Sequence, residues 1–217
     1  MSTFSIREYK NSDYHVVRDL FAQGMMDYIP SLTMYMLKLP QVYGTILASL
    51  ITSQLLFRSY FFSMLVFGSL LLACPCGLIY SFRVYVKNCL KKDLLNIEES
   101  YMEKPNSCFW VTESGGRIVG MVGAQPSPSS RSEMVMRRLS VAKDHQGRGM
   151  AKALCMLVID FARQRGYRQI SLDTSNLQAP ACKLYQRLGF RTTNIIPVNT
   201  LYGRFVNMTV EYYSYDV

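Results

Sequence analysis

The sequence predicts a mixed α/β domain whose first helix is followed by an apolar insertion long enough to enter a bilayer. Three observations carry this reading. An alternating, strand-like segment from Glu133 to Val141 runs into a turn with two glycines that opens onto an amphipathic helix. Strand-like and helix-like periods alternate on both sides of that turn. Two uncharged apolar stretches, 39–57 and 59–82, are separated only by Arg58.

Taken in order, Phe4 to Tyr9 alternates as a strand does, and Asp13 stands where it can cap a helix running to about Met26. Each apolar stretch then reaches the length of about 20 residues that a bilayer helix needs. A chain of 217 residues is too small to wrap two such helices in a core of its own. The insertion as a whole covers 39–86 and divides the domain into 1–30 and 90–217. Arg83, Lys87, Lys91 and Lys92 follow the second apolar stretch, against Lys38, Asp27 and Asp19 before the first, which places the C-terminal flank in the cytosol. If residues 1–30 join the same sheet as the rest, both feet of the insertion lie on one face. That favours a hairpin over a single tilted crossing.

After the insertion, Lys92 to Tyr101 reads as a short helix. Cys108 to Glu113 and Ile118 to Ala124 read as two strands around a Ser114-Gly-Gly-Arg117 hairpin turn. Glu133 to Val141 is the long central strand. A helix from about Arg148 to Arg165 puts Ala151, Leu154, Cys155, Val158, Ile159 and Ala162 on one face, and Gly166 stops it. Gln169 to Asp173 is a parallel partner strand, with the right-handed crossover such units require. Pro180 suits the first turn of a helix ending at Leu188-Gly189, and Phe205 to Tyr213 reads as a last strand.

Composition narrows the function classes. The chain is 49 % hydrophobic and 18 % charged, with a net charge of +9. The basic residues form no long run and match no nucleic-acid-binding spacing, which leaves a polyphosphate ligand or anionic lipid. The six cysteines form no CxxC pair or His cluster, so no metal site is expected and buried thiols are the simplest reading. Cys89, beside basic residues at the edge of the insertion, is also a candidate for acylation. The N-terminal residues carry no signal-peptide core. Asn207-Met-Thr209 is a formal glycosylation sequon that falls in an expected core strand.

The glycine turn has the layout of a pyrophosphate cradle, in which unpaired helix-start N–H groups and a close backbone face the ligand. Its spelling, Gln146-x-x-Gly149-x-Ala151, resembles the acetyl-CoA signature of the GNAT N-acetyltransferases. Leu172-Asp-Thr-Ser-Asn176 and Ala179-Pro-Ala-Cys-Lys-Leu-Tyr185-Gln-Arg-Leu-Gly-Phe190 resemble two further motifs of that family, in the family's order. The resemblance covers about 1–30 and 90–213. The insertion and the Arg137-Arg-Leu-Ser-Val-Ala142 spelling resemble its membrane-bound, camello-like branch.

This resemblance implies a GNAT fold, a mixed and mainly antiparallel sheet flanked by helices, with acetyl-CoA as co-substrate and an amine as acceptor. It implies that Gln146, Gly147, Arg148, Gly149, Met150 and Ala151 grip the pyrophosphate, with the Arg148 side chain either adding charge or standing as a solvated helix-start arginine. Leu139 and Val141 pair with the pantetheine arm, the Val141 N–H polarises the thioester, and Asn176 bonds the arm. Tyr185 is the expected acid for the leaving thiolate.

No general base stands out among Glu98, Glu99, Glu103, Asp173 and His145. That tilts the acceptor towards an α-amine. With a pKa near 8, an α-amine is roughly 10–20 % neutral at cytosolic pH, against well under 0.1 % for lysine. The branch implies an endoplasmic-reticulum membrane address with a cytosolic catalytic domain, and acceptors of the cysteine S-conjugate class. Protein lysines, or a non-enzymatic role in adhesion, are the alternatives.

Overall fold

The computed structural model describes residues 4–200, 203–204 and 206–217, apart from the Cys74 side chain. Its strands are β1 (Ser5–Glu8), β2 (Cys108–Ser114), β3 (Arg117–Pro126), β4 (Glu133–Val141), β5 (Gln169–Ser175), β6 (Arg191–Pro197) and β7 (Thr209–Asp216). Its helices are α1 (Tyr14–Met26), α2 (Ile29–Leu37), α3 (Pro40–Phe57), α4 (Tyr60–Leu90), α5 (Met150–Gln164) and α6 (Ala179–Arg187). The strands form one sheet in the order β1-β2-β3-β4-β5-β7-β6. Every pair is antiparallel except β4 and β5.

That parallel pair positions the site. It spans only Glu133–Val135 against Gln169–Ser171, at the starts of both strands. Beyond it the two strands diverge and the sheet splays open. α5 covers one face, with Leu154, Val158 and Ile159 essentially excluded from water beside Trp110, Val122 and Met134. Each such side chain contributes about 1.5–3 kcal/mol. α1, the end of α4 and a π-helical turn at Glu98–Met102 cover the other face through Val17, Phe21, Cys89 and Tyr101. The two faces correspond to two separate apolar stripes in the sequence.

The apolar insertion is a helical hairpin. α3 and α4 pack side by side, joined at Arg58, which adopts φ 47° and closes the turn. Ser63 Oγ donates to Gln54 Oε1 across the pair at 3.1 Å. Leu55, Phe61, Met64 and Leu72 on its outer surface are all strongly exposed. Among the described residues, α4 is the one helix, at 31 residues, long and apolar enough to cross a membrane by length and composition. It does not end where the charges begin. Leu78, Phe82, Val86 and Cys89 stay buried at helical spacing while Arg83 and Lys87 face outward, so the helix runs without a break into the domain core.

Several expectations change. Lys92 to Tyr101 is a turn followed by the π-helical segment Glu98–Met102 rather than one short helix, although Leu94, Ile97 and Tyr101 all face inward. Asp13 sits at the α1 start but makes no cap there, since its carboxylate accepts from Arg7 and from the Lys10 N–H. α5 begins at Met150 rather than Arg148, because Gly149 lies at φ 83°, outside the helical region. α2 and β6 were not anticipated. β6 is exposed along its whole length and so carries no alternation. The last strand is Thr209–Asp216, and Phe205, its expected start, lies outside the described residues.

Candidate active site

A cavity of about 670 Å³ occupies the splay between β4 and β5. Of the residues expected to act, Leu139, Val141, Gln146, Gly147, Gly149, Met150, Ala151 and Tyr185 all line it. The glycine turn is built as a cradle. Gly147 and Gly149 lie at φ 76° and 83°, and nothing stands within 4 Å of where a Cβ would be on either. Backbone conformation is therefore what demands glycine here, and the space above the turn is open. Gln146 Nε2 donates to the Val141 carbonyl at 3.0 Å, which ties the turn to the end of β4.

The β4 backbone presents donors to the gap. The Ala142 N–H bonds the Val119 carbonyl at 2.7 Å, and Gly120 faces Val141. Donors alternate in direction along an antiparallel pair. The Val141 N–H therefore turns away from β3, toward the side from which β5 has departed. Upstream, the register slips between Gly123–Arg137 and Met121–Ser140, making a bulge at Arg138 and Leu139. Arg138 takes φ 59° there, a left-handed conformation uncommon outside glycine. α1 comes close to this strand end because Gly24 lacks a Cβ, which would fall 2.6 Å from Ser140 Oγ.

Tyr185 stands on the opposite wall. It is 6 % exposed, packs against Phe190 and Tyr213, and its hydroxyl has no hydrogen-bond partner among the described residues. Burial pushes its phenol well above the ordinary value, with nearby Cys155 adding to the shift, so it stays protonated.

Charge on the wall is one-sided. Arg137, Arg138, Lys152, Lys183 and Arg187 line the cavity, and Asp173 is the one carboxylate among the described lining residues. Glu98 and Glu99 are occupied elsewhere, with Asn11 and Asn96. Lys152, Lys183 and Arg187 were not anticipated, because on a sequence they read as solvated helix faces. Arg148 turns back, donating from Nη2 to the Asp144 carbonyl at 2.9 Å, and is not on the wall. His145 lines the cavity, its Nδ1 2.9 Å from Asp144 Oδ1 but off the line of a hydrogen bond. Asn176 uses both ends of its amide on Asn207 and Thr209, and lines an adjoining cavity of about 360 Å³. The rest of the wall includes the apolar and aromatic Phe21, Met25, Tyr28 and, from α4, Tyr85, beside the polar Ser140, Thr174 and Gln178. No metal-ligating cluster occurs among the described residues.

The acetyltransferase (GNAT) family model matches residues 79–190. The chain belongs to the GNAT acetyltransferase family. It is 39 % identical over its full length, and over 99 % of the relative, to "Probable N-acetyltransferase camello" of Xenopus tropicalis. It is likewise 39 % identical to N-acetyltransferase 8F1 of Mus musculus, over 88 % of this chain and 87 % of that one. These similarities make it a camello-like N-acetyltransferase. The crystal structure of a GNAT-family acetyltransferase from Staphylococcus aureus Mu50 superposes with a TM-score of 0.60 over 99 % of both chains at 15 % identity, which establishes the shared fold.

Proposed function

We propose that this camello-like enzyme moves acetyl from acetyl-CoA to the α-amine of a small apolar amino acid, with cysteine S-conjugates as the leading acceptors. The observation that carries the reading is the cavity wall. A cluster of cations and an open glycine cradle suit a polyphosphate donor at one end, and an aromatic lining suits an apolar acceptor at the other. Gln146, Gly147, Gly149, Met150 and Ala151 hold the pyrophosphate through backbone N–H groups, supported by Lys152, Lys183 and Arg187. Arg148 stabilises the turn through Asp144 and adds diffuse positive charge. Asn176 faces the pantetheine arm from the adjoining cavity.

Acetyl-CoA supplies the activated acyl group. Leu139 and Val141 align it as an added strand, and the Val141 N–H donates to the carbonyl oxygen as negative charge develops there. Tyr185 donates to the departing sulfur. Its raised pKa, well above the value of about 8.5 typical of a thiol, makes it a hydrogen-bond donor to the departing sulfur. That sulfur takes up the second proton that the attacking nitrogen sheds as the amide forms, relayed through the Tyr185 hydroxyl or water. Asp173 holds the incoming ammonium and accepts its proton, directly or through water. Arg137, which has no ion-pair partner among the described residues, is free for the acceptor's carboxylate. A lone Asp173 serves an α-amine more readily than a lysine, which is far less often neutral.

The hairpin anchors this site to the endoplasmic-reticulum membrane. α3 is about 27 Å long at 1.5 Å per residue, close to the hydrocarbon thickness of roughly 30 Å. Arg58 then reaches the opposite headgroups, and both feet, with the catalytic domain, stay on the cytosolic side. Microsomes carrying the full chain, given labelled acetyl-CoA with S-benzyl-cysteine or a lysine peptide, test the acceptor class. Label is expected in the cysteine conjugate; transfer to the peptide alone refutes the assignment.

A further inference from the structure

We infer that Arg138 is a positioning residue for acyl transfer. Its ion pair with Asp93, just beyond the membrane-hairpin helix α4, holds the β4 bulge so that the Leu139–Val141 backbone faces the thioester. This rests on, and deepens, the acetyl-transfer reading above.

Arg138 occupies the bulge in a left-handed conformation that L-residues avoid, with no glycine to relieve it. Its side chain borders the cavity but is 10 % exposed, with its guanidinium nitrogens engaged by other groups of the protein. It turns to the α4 side of the sheet. There Nε donates to Asp93 Oδ2 at 2.8 Å and Nη2 to Asp93 Oδ1 at 2.6 Å, a two-pronged pair. Nη1 donates to Cys89 Sγ at 2.9 Å, and the guanidinium lies 5.2 Å from the centre of the Phe21 ring. Cys89 belongs to α4, and Asp93 follows within three residues of its end.

The brace is closed from behind. The Tyr101 hydroxyl donates to Asp93 Oδ2 at 2.5 Å. The Tyr101 ring fills the space over Gly123, where a Cβ would fall 2.6 Å from Cε1. Gly123 is paired with Arg137, the residue at which the bulge begins. Strand, arginine, aspartate, tyrosine and strand thus form one loop of contacts around the irregularity. A surface ion pair has no such geometry. Here both side chains are largely buried, at 10 % and 15 % exposure, and one of them belongs to the left-handed residue itself. Any change in the seating of α4 is transmitted through Asp93 to the catalytic strand, which makes the hairpin part of the catalytic machinery as well as a tether.

The test uses the full chain in lipid nanodiscs and compares wild type with Arg138→Lys, Asp93→Asn, Asp93→Glu and the double variant Asp93→Asn/Arg138→Lys. The measurements are kcat, acetyl-CoA Kd and cooperative unfolding. Arg138→Lys and Asp93→Asn are expected to lower kcat at least tenfold with Kd within threefold of wild type. The double variant should be no worse than either single one, and Asp93→Glu should restore part of the rate. A kcat within twofold of wild type in both single variants overturns the positioning role. So does a loss of rate that only follows the loss of folded protein or of acetyl-CoA binding. If one variant does not fold, the other decides. A wild-type chain that neither binds acetyl-CoA nor turns over an amine refutes the acetyl-transfer reading, and this inference with it; intact variants beside an active wild type refute this inference alone.

Discussion

Replacing Gly149 by alanine separates two reasons a glycine can be required. Gly149 lies at φ 83°, ψ −3°, and an added Cβ meets no atom within 4 Å. The cost is therefore conformational, about 1–2 kcal/mol for a left-handed L-residue. Because nothing packs over the turn, the free protein relieves this strain by relaxing the turn. Binding must then restore it. At about 1.4 kcal/mol per tenfold, acetyl-CoA Kd should rise roughly 5- to 30-fold with little change in Tm. Gly149→Asn, which tolerates the left-handed region, should lose less.

Gly123→Ala is the counter-case. There the added Cβ falls 2.6 Å from Tyr101 Cε1 and 3.0 Å from Phe109 Cδ2. Overpacking costs about 1–3 kcal/mol, all of it in stability. Tm should fall by roughly 2–12 °C at 2–4 °C per kcal/mol while Kd holds. Titration calorimetry with acetyl-CoA and thermal unfolding on the same nanodisc preparations read both quantities. If Gly149→Ala binds acetyl-CoA as tightly as wild type while losing Tm, the cradle assignment is wrong.

Tyr185→Phe should lower kcat about 100-fold or more with acetyl-CoA KM nearly unchanged, and steady-state kinetics will show whether rate and binding separate. Asp93 has its carboxyl held below the usual range; burial opposes this, but the Arg138 hydrogen bond and charge outweigh it. Its stabilisation is present above the unfolded value near 3.9 and is lost as pH falls through the lower folded value. Asp93→Asn should therefore cost about 3–5 kcal/mol at pH 7, and melts from pH 7 to pH 3 should show the gap to wild type closing at the acid end. Leu154→Ala empties a fully buried position under α5 and should cost about 2–5 kcal/mol by denaturant unfolding. A glycosylation acceptor fused to the N-terminus should stay unmodified in microsomes if the hairpin keeps both feet in the cytosol, and its modification would replace the hairpin by a single crossing.

Chemistry that depends on local backbone was legible in the sequence. Two glycines bracketing Arg148, set between a strand and a helix, require positive φ, and the structure has it at both. The motif around Tyr185 led to a residue that stands on the cavity wall. What escaped depends on partners far away in the chain. The extent of β4–β5 pairing, only three residues, decides that there is a cavity at all, and no local pattern encodes where two strands part. The Arg138 bulge escaped because its left-handed residue is an arginine, without the glycine that usually signals one. That Asp173 and His145 reach the cavity, of the five candidate bases, needed the folded wall to see. α4 was cut short at 82 because charge was used as its boundary, whereas Arg83 and Lys87 occupy only the outward side of a helix whose inward side continues to Cys89.

The edge strand β1 bears on how the enzyme is made. It pairs with β2 from Ser5–Glu113 to Glu8–Trp110, so the hairpin lies wholly between the two partners. At about 5–20 residues per second, a ribosome needs several seconds to add the roughly 100 residues that separate them. Through that interval β1 and α1 are without their sheet, and the hairpin leaves the ribosome first. On the membrane-anchored reading proposed above, seating the hairpin in the bilayer with both feet on one side brings the first strand back to its partner's side and shortens the search for a very non-local pairing. A hairpin inserted the wrong way would strand β1 across the membrane and leave the β2 edge open to other chains. On that reading, membrane insertion works as a checkpoint on assembly, because the sheet around the proposed site closes only around a correctly seated hairpin.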